Sequence, residues 1–384
     1  MLAAISGDGS GREFQTVRWD VAKTAVASAA QEAELNAMRV RIEEVLTAFL
    51  DARVPEWEQP QHGMDELAYC VREFVMRGGK RLRPLLSILG WQAVRPEREV
   101  PAPVLRAAAS LELFHAFALI HDDVMDDSDL RRGHPTVHRT MTVRHEAVSC
   151  LAARRVGAGA AILAGDLALV WSDELLHTAG LKPGQLAAVF PLIDTMRTEI
   201  VQGQYIDLTT TERPGTSVEV ALRVARYKTA KYTFERPLHV GAALAGADGE
   251  LQRALSAYAL PTGESFQLRD DLLGVFGDPR RTGKSVLEDL RDAKPTVLLA
   301  IARERANSRQ QALLDRQVGR RALDEEGATR VRHVLLTTGA VDLVEAMITD
   351  RHRQALQALE AAPITLSART ALRHLADAAL WRNT

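Results

Sequence analysis

Apolar side chains recur every three or four positions through most of this chain, as Met38, Ile42, Val45, Leu46 and Phe49 do. That spacing marks one buried face of a helix. The same texture runs through residues 104–126, 146–180, 185–208, 217–246, 250–276 and 329–361. Helix-breaking residues fall between these stretches, at Arg95-Pro96, Arg132-Gly133-His134-Pro135, Lys182-Pro183-Gly184, Arg213-Pro214-Gly215 and Gly277-Asp278-Pro279. Alternating strand patterns are nearly absent. The pattern predicts an all-α fold of ten or more helices in one domain. Residues 1–30 are rich in Gly, Ala and Ser and carry no sustained period. They are expected to form a poorly ordered N-terminal extension, so that the domain spans 31–384.

Composition changes this picture little. A chain of 384 residues could hold two or three domains at about 150 residues each, but no shift in texture marks a boundary. The net charge of −2 leaves no electrostatic footprint for nucleic acid. Cys70 and Cys150 fit no metal-ligand spacing and read as reduced, small hydrophobes. No uninterrupted apolar run reaches the roughly 18 residues of a membrane span. The N-terminus lacks a basic stretch followed by an apolar one, so the expected location is cytoplasmic with no transmembrane segment. One bias is informative: only seven of the 48 basic residues are lysine. A compact ammonium suits a phosphate oxygen as a point charge.

Candidate chemistry starts at His121-Asp122-Asp123-Val124-Met125-Asp126-Asp127-Ser128-Asp129, where an apolar helical run ends. If the helix continues, Asp122, Asp126 and Asp129 line one face. Carboxylates stacked at the negative end of a helix dipole repel unless a cation joins them. Mg²⁺ prefers one or two such carboxylates completed by phosphate oxygens and water. A second acidic site, Asp270-Asp271 with Asp278 beyond a turn, follows the run 260–268. Basic clusters alternate with these acidic sites: Gly78-Gly79-Lys80-Arg81-Leu82-Arg83-Pro84, then Arg131-Arg132, then Tyr227-Lys228-Thr229, then Gln267, Lys284 and Lys294 around the second site. A protein that binds two diphosphates around metal ions needs this alternation.

With these motifs in order, residues 40–384 resemble the trans-isoprenyl diphosphate (polyprenyl) synthase family. The matching stretches are GGKRLRP at 78–84, ELFHAFALIHDDVMDDSDLRRGHPTVH at 112–138, ILAGD at 162–166, GQYID at 203–207, YKTAKYTF at 227–234 and FQLRDDLLGVFGD at 266–278. The resemblance implies helices around a central cavity, a homodimer, and Mg²⁺-dependent condensation of isopentenyl diphosphate with an allylic prenyl diphosphate. It implies that Lys80, Arg83, His115 and Arg132 hold isopentenyl diphosphate. Asp122, Asp126 and Asp270 would ligate the metal. Arg131, Lys228, Thr229, Gln267, Lys284 and Lys294 would hold the allylic diphosphate, with Gln204 and Asp207 lining the same pocket. Asp122, Asp126, Arg131, Lys228 and Asp270 would carry the catalytic charge.

Two departures stand out: Gly274 replaces the usual third aspartate of the second motif, and a glycine usual near position 287 is missing. Small Ala118 one turn before Asp122, and Phe117 beside it, point within the family to a geranylgeranyl (C20) product rather than a farnesyl or longer one. A class I terpene cyclase would not need the GGKRLRP and Arg131-Arg132 elements. A non-catalytic regulatory subunit would be expected to lose a first-motif aspartate.

Overall fold

A computed structural model of the protein describes residues 21–54, 64–96, 99–145, 150–211, 215–277 and 286–380. It is helical almost throughout. The first half comprises α1 (Val21–Asp51), α2 (Met64–Met76), α3 (Leu82–Val94), α4 (Ala102–Met125), α5 (Val137–Arg144), α6 (Cys150–His177) and α7 (Pro183–Thr211). Then come α8 (Val218–Ala225), a π-helical segment Arg226–Glu235, α9 (Arg236–Leu244) and α10 (Gly249–Phe276). A short α11 (Glu288–Arg291) leads to α12 (Val297–Arg305), α13 (Ser308–Gln317), α14 (Glu325–Thr337), α15 (Ala340–Ala361) and α16 (Leu366–Leu380). The all-α expectation holds.

Three details differ from the sequence reading. α1 begins at Val21, so residues 21–30 of the expected extension are helical, while residues 1–20 lie outside the described residues. A two-residue hairpin pairs Leu130–Arg131 with His134–Pro135, too short to leave an alternating pattern. Finally, α4 and α6 are long and apolar enough to cross a membrane once a window tolerates one or two charges. Two-thirds of the α4 window is buried inside the protein, against 39% for α6, so α4 is the core helix and α6 is half uncovered.

α4 packs along α6, and α3 along α9, around one large apolar core that includes Leu85, Leu89, Leu111, Phe114, Leu175 and Leu238. A second core joins α10 to the C-terminal helices through Leu268, Leu272, Leu298, Val331 and Val344. The π-helical segment lies between α7 and α10. Its wide turns fit because Gly203 faces Tyr227 and Gly263 faces Ala230. A Cβ on Gly263 would strike the Ala230 backbone. π-helical turns are rare and concentrate at functional sites.

Candidate active site

The first acidic wall is the C-terminal end of α4. Asp126 caps the helix, its N–H donating to the Asp122 carbonyl at 2.8 Å. Asp127 then enters the left-handed region at φ 51°, and the chain turns away. Asp129 therefore leaves the face it was expected to share and pairs with Arg139 at 2.8 Å. Asp122 and Asp126 stay. Burial raises the Asp122 carboxyl, but Lys228 Nζ and Arg131 Nη2, each at 3.3 Å, outweigh that and hold it below the usual carboxylate range. At Asp126 the balance reverses: burial, then the Asp122 charge, outweigh the pull of Lys228 and Lys294 and push it up to about 6.

The turn that follows delivers two arginines in opposite directions. Arg132 (φ 53°) and Gly133 (φ 77°) form the centre of the hairpin, the geometry of a tight turn with both central residues left-handed. Arg131 bends back onto the acidic wall, donating to Asp123 Oδ1 at 2.6 Å. Arg132 reaches out to the Gly78 carbonyl. Its guanidinium lies over Gly79, where a Cβ would sit 2.7 Å from Nη1; this is what the Gly-Gly pair makes room for. Of the three cations in that motif, Arg81 turns inward, is buried, and binds Glu43 (2.7 Å) and Glu112 (2.9 Å). Lys80 is exposed, and Arg83 lies over the Tyr232 ring, its Cζ 4.2 Å from the centroid. His115, 3.4 Å from the Tyr232 hydroxyl, is held well below its usual pKa by burial and then by Arg83, Arg132 and Arg131. It is a neutral member of a cationic cluster at pH 7.

On the opposite side the π-helical segment presents Lys228 and Thr229. Lys228 Nζ bridges Asp122 and Asp207 Oδ2 (2.5 Å), and Thr229 donates to Gln267 Oε1 at 2.5 Å. Gln267 in turn donates to Asp271 at 2.8 Å. Burial pushes Asp271 up to about 8, so it is protonated at neutral pH and props Gln267. Its neighbour Asp270 is half-buried on α10. Lys294 pairs with Asp289 at 3.2 Å. Its pKa is raised above the ordinary value by Asp289 first, against the pull of burial, and then by Asp126 and Asp122. Lys284 and Asp278 fall outside the described residues. Leu287, where a glycine was expected nearby, sits at φ −100°, ψ −22°, a conformation open to any residue.

From these charges an apolar cavity of about 380 Å³ runs inward, lined by Arg83, His115, Asp122, Lys228 and Tyr232 at its polar end. Phe117, Ala118, His121, Met125, Ile200, Val201, Gln204, Tyr205 and Leu208 line the rest. Phe117 is wedged between the rings of Phe114 (5.3 Å) and His121 (4.7 Å).

Residues 64–335 match the model of the polyprenyl synthetase family. The chain belongs to that family. A geranylfarnesyl diphosphate synthase from Aeropyrum pernix is 33% identical over 285 residues, covering 73% of this chain and 83% of its own. A geranylgeranyl diphosphate synthase from Saccharolobus solfataricus is 31% identical over 67% of this chain and 73% of its own length. Among solved structures, geranylgeranyl pyrophosphate synthase from Corynebacterium glutamicum, complexed with isoprenyl diphosphate and magnesium, superposes with a TM-score of 0.82 at 38% identity. The match covers 91% of this chain and 98% of that one. This polyprenyl synthetase is thus a trans-prenyltransferase, and enzymes of its family act with a divalent metal.

Among the synthetase's described residues, no three acidic, histidine or cysteine side chains converge closely enough to cage a metal by themselves. Two carboxylates with a raised pKa at Asp126 nonetheless fit a hard cation that brings most of its own oxygen ligands. Tyr232 was missed by the sequence reading. It stands four residues after Lys228 in the quoted YKTAKYTF stretch, and that spacing alone puts both side chains on one face.

Proposed function

We propose that this synthetase condenses isopentenyl diphosphate with allylic diphosphates, with all-trans geranylgeranyl diphosphate (C20) as the main product. One observation carries this reading: two separate cationic clusters flank an acidic wall at the polar end of a single apolar cavity. Lys80, Arg83, Arg132 and neutral His115 suit the diphosphate of isopentenyl diphosphate. Arg131, Lys228, Thr229, Gln267 and Lys294 suit the allylic diphosphate, and Lys284 is assigned with them by its motif.

Reaction follows from charge. The allylic C–O bond breaks, its electron pair leaves with pyrophosphate, and an allylic cation remains in the cavity. Lys228, Arg131 and Lys294 stabilise the negative charge growing on the leaving group; removing one such fixed group typically costs about 10²–10³-fold in rate. Mg²⁺, held by Asp122, Asp126 and Asp270, would supply Lewis-acid stabilisation of that same charge. The double bond of isopentenyl diphosphate then forms the new C–C bond, and the released proton goes to pyrophosphate. The apolar walls, with Phe117 and Ala118, keep water from the cation.

Exposed apolar faces on α6 and α7 support a homodimer, and a buried, free Cys70 accords with a reducing, cytoplasmic location. Residues 31–384 would act as one catalytic unit. The test is an Mg²⁺-dependent assay with isopentenyl diphosphate and dimethylallyl, geranyl or farnesyl diphosphate, followed by phosphatase treatment and chromatography. C20 alcohol is expected. Turnover of an allylic substrate without isopentenyl diphosphate would instead mark a cyclase, and no turnover of any pair would mark a regulatory subunit.

A further inference from the structure

An ion pair lies behind the deep end of the cavity. α4 and α7 both end on its charged side, where Asp122 and Asp207 meet Lys228, so earlier residues of either helix lie deeper. Phe114 is eight residues before Asp122, about 12 Å of helix rise, and Arg197 is ten before Asp207, about 15 Å. α6 runs the other way. Its Gly165 packs on His121, where a Cβ would come within 2.3 Å of the ring, and Asp173 follows eight residues or about 12 Å further down. Ser172 fixes that level by donating to the Ser110 carbonyl at 2.8 Å. Asp173 thus stands at the depth of Phe114, and its carboxylate accepts from Arg197 Nη2.

The guanidinium also bears on the aromatic wall. Arg197 Cζ sits 5.4 Å from the centroid of the Phe114 ring, close enough for a cation to be held by the ring face. Phe114 in turn backs Phe117, ring centroids 5.3 Å apart. Arg197 shares a helix face with Ile200 and Val201, three and four positions on, and both of those line the cavity. The apolar lining of α7 therefore gives way to a charge just where the aromatic stack ends. Arg197 Nε is buried and finds no hydrogen-bond partner among the described residues, so Asp173 is the partner the guanidinium can least lose.

We propose that Arg197, held by Asp173, is a specificity-determining residue that sets the furthest depth a prenyl tail can reach, behind the first stop at Phe117. The inference rests on the chain-elongation reading above. A tail that pushed past Phe114 would have to part Arg197 from Asp173 and leave a charge against hydrocarbon. Stranding one member of such a pair is costly, whereas replacing both by apolar groups of similar size is not. The ion pair therefore resists the tail in a way that an apolar floor of the same volume would not.

The test is made in the Phe117→Ala background, where the first stop is gone. Products from isopentenyl and farnesyl diphosphate are dephosphorylated and separated by chromatography. Phe117→Ala alone should stop mainly at C25, because Phe114 and Arg197 remain. Adding Arg197→Met/Asp173→Leu should raise the ratio of C30 and longer products to C25 by about tenfold or more, the scale on which a closed apolar pocket discriminates. Adding Arg197→Lys instead keeps a charge beside Asp173 and should leave the ratio near its Phe117→Ala value. If thermal melts show the apolar variant unfolded, Asp173→Asn keeps the shape of the pair and should raise the ratio part of the way. An unchanged ratio in the apolar variant, or in Asp173→Asn where that variant unfolds, overturns the proposal. So does equal lengthening by Arg197→Lys, which would make volume rather than charge the stop. Lengthening that comes with a halved mass in light scattering overturns it too, since the outer face of α6 and α7 would then set the length. If Phe117→Ala keeps the parent distribution, the tail never nears Arg197 and the proposal falls while the synthase reading stands. A parent that adds no isopentenyl diphosphate to any allylic substrate overturns both.

Discussion

Asp122 and Asp126 stand one helical turn apart and hold their protons differently. Lys228 and Arg131 keep Asp122 ionised, while burial and the Asp122 charge raise Asp126 to about 6. In the metal-free protein Asp126 is therefore largely protonated below about pH 6. A raised carboxyl pKa costs the fold nothing below the unfolded value, and its cost grows as pH climbs toward the folded value. A cation that binds Asp126 must displace that proton below pH 6 and meets none above it. Mg²⁺ affinity with pyrophosphate present should be flat above about pH 6.5 and fall by up to about tenfold per pH unit beneath 6. Calorimetry across pH 5–8 reads this directly, and a flat profile would remove Asp126 from the metal site. Lys80 and Lys228 belong to different clusters, so Lys80→Ala should raise KM for isopentenyl diphosphate most. Lys228→Ala should do so for the allylic substrate, and equal effects on both substrates would contradict the division. Single residues also mark where sequence was hardest to read. Three cations in GGKRLRP look alike, and only the distant Glu43 and Glu112 decide that Arg81 turns inward. Asp129 looks like a third ligand until Asp127 adopts a left-handed backbone that ends the helix.

At the scale of elements, the π-helical segment carries Lys228 and Thr229, which we assign to the allylic diphosphate, and buried carboxylates brace both of its ends. Glu264 on α10 accepts from Arg226 Nε at 2.7 Å and from Arg351 Nε at 2.6 Å. Glu199 on α7 accepts from Lys231 and, at 2.7 and 2.8 Å, from Arg236. Breaking a buried pair by removing one partner costs about 3–5 kcal/mol, less where the stranded partner reaches water. Arg226 is half exposed, so Glu264→Ala should cost about 2–3 kcal/mol of stability and raise KM for the allylic substrate more than for isopentenyl diphosphate. Thermal melts and steady-state kinetics check the two parts separately. A KM change of equal size for both substrates would deny the segment its one-sided role. The sequence showed residues 217–246 only as continuous helix, because apolar spacing over ten residues cannot separate π from α winding. The acidic and basic motifs were legible because their spacing is local. Their bracing was not, because Glu199, Glu264 and Arg351 come from other helices.

Taken whole, the molecule is a cavity with a charged end and a partly uncovered side. Val201 and Tyr205 line the cavity yet are 59% and 67% exposed. Leu163 and Val170, two turns apart on α6, are exposed as well. The two helices lean together through Arg197–Asp173 and through His177 against Phe190, ring centroids 5.5 Å apart. Exposed apolar side chains on two neighbouring helices call for a partner, and a second copy of the chain is the occupant we propose. Leu163→Glu/Val170→Glu should halve the mass seen by light scattering; an unchanged mass would move the interface elsewhere. Within one protomer, chain length is a matter of walls. A prenyl chain growing from the diphosphate end passes Ala118, which is too small to obstruct it, and then meets Phe117. That ring is fixed between Phe114 and His121, and His121 is itself tied to the Ile162 carbonyl at 3.0 Å, so the ring cannot easily swing aside. Graded affinity is a poor ruler here, since one methylene is worth only about 1–3 kcal/mol in an apolar pocket. On the reading proposed above, a rigid ring would stop the chain at a set depth instead. Phe117→Ala should therefore yield products longer than C20, and Ala118→Phe should shift output toward C15, both read by chromatography after phosphatase treatment. Should Phe117→Ala leave the distribution unchanged, the chain runs instead along the α7 wall past Val201 and Tyr205, and the stop lies on that side.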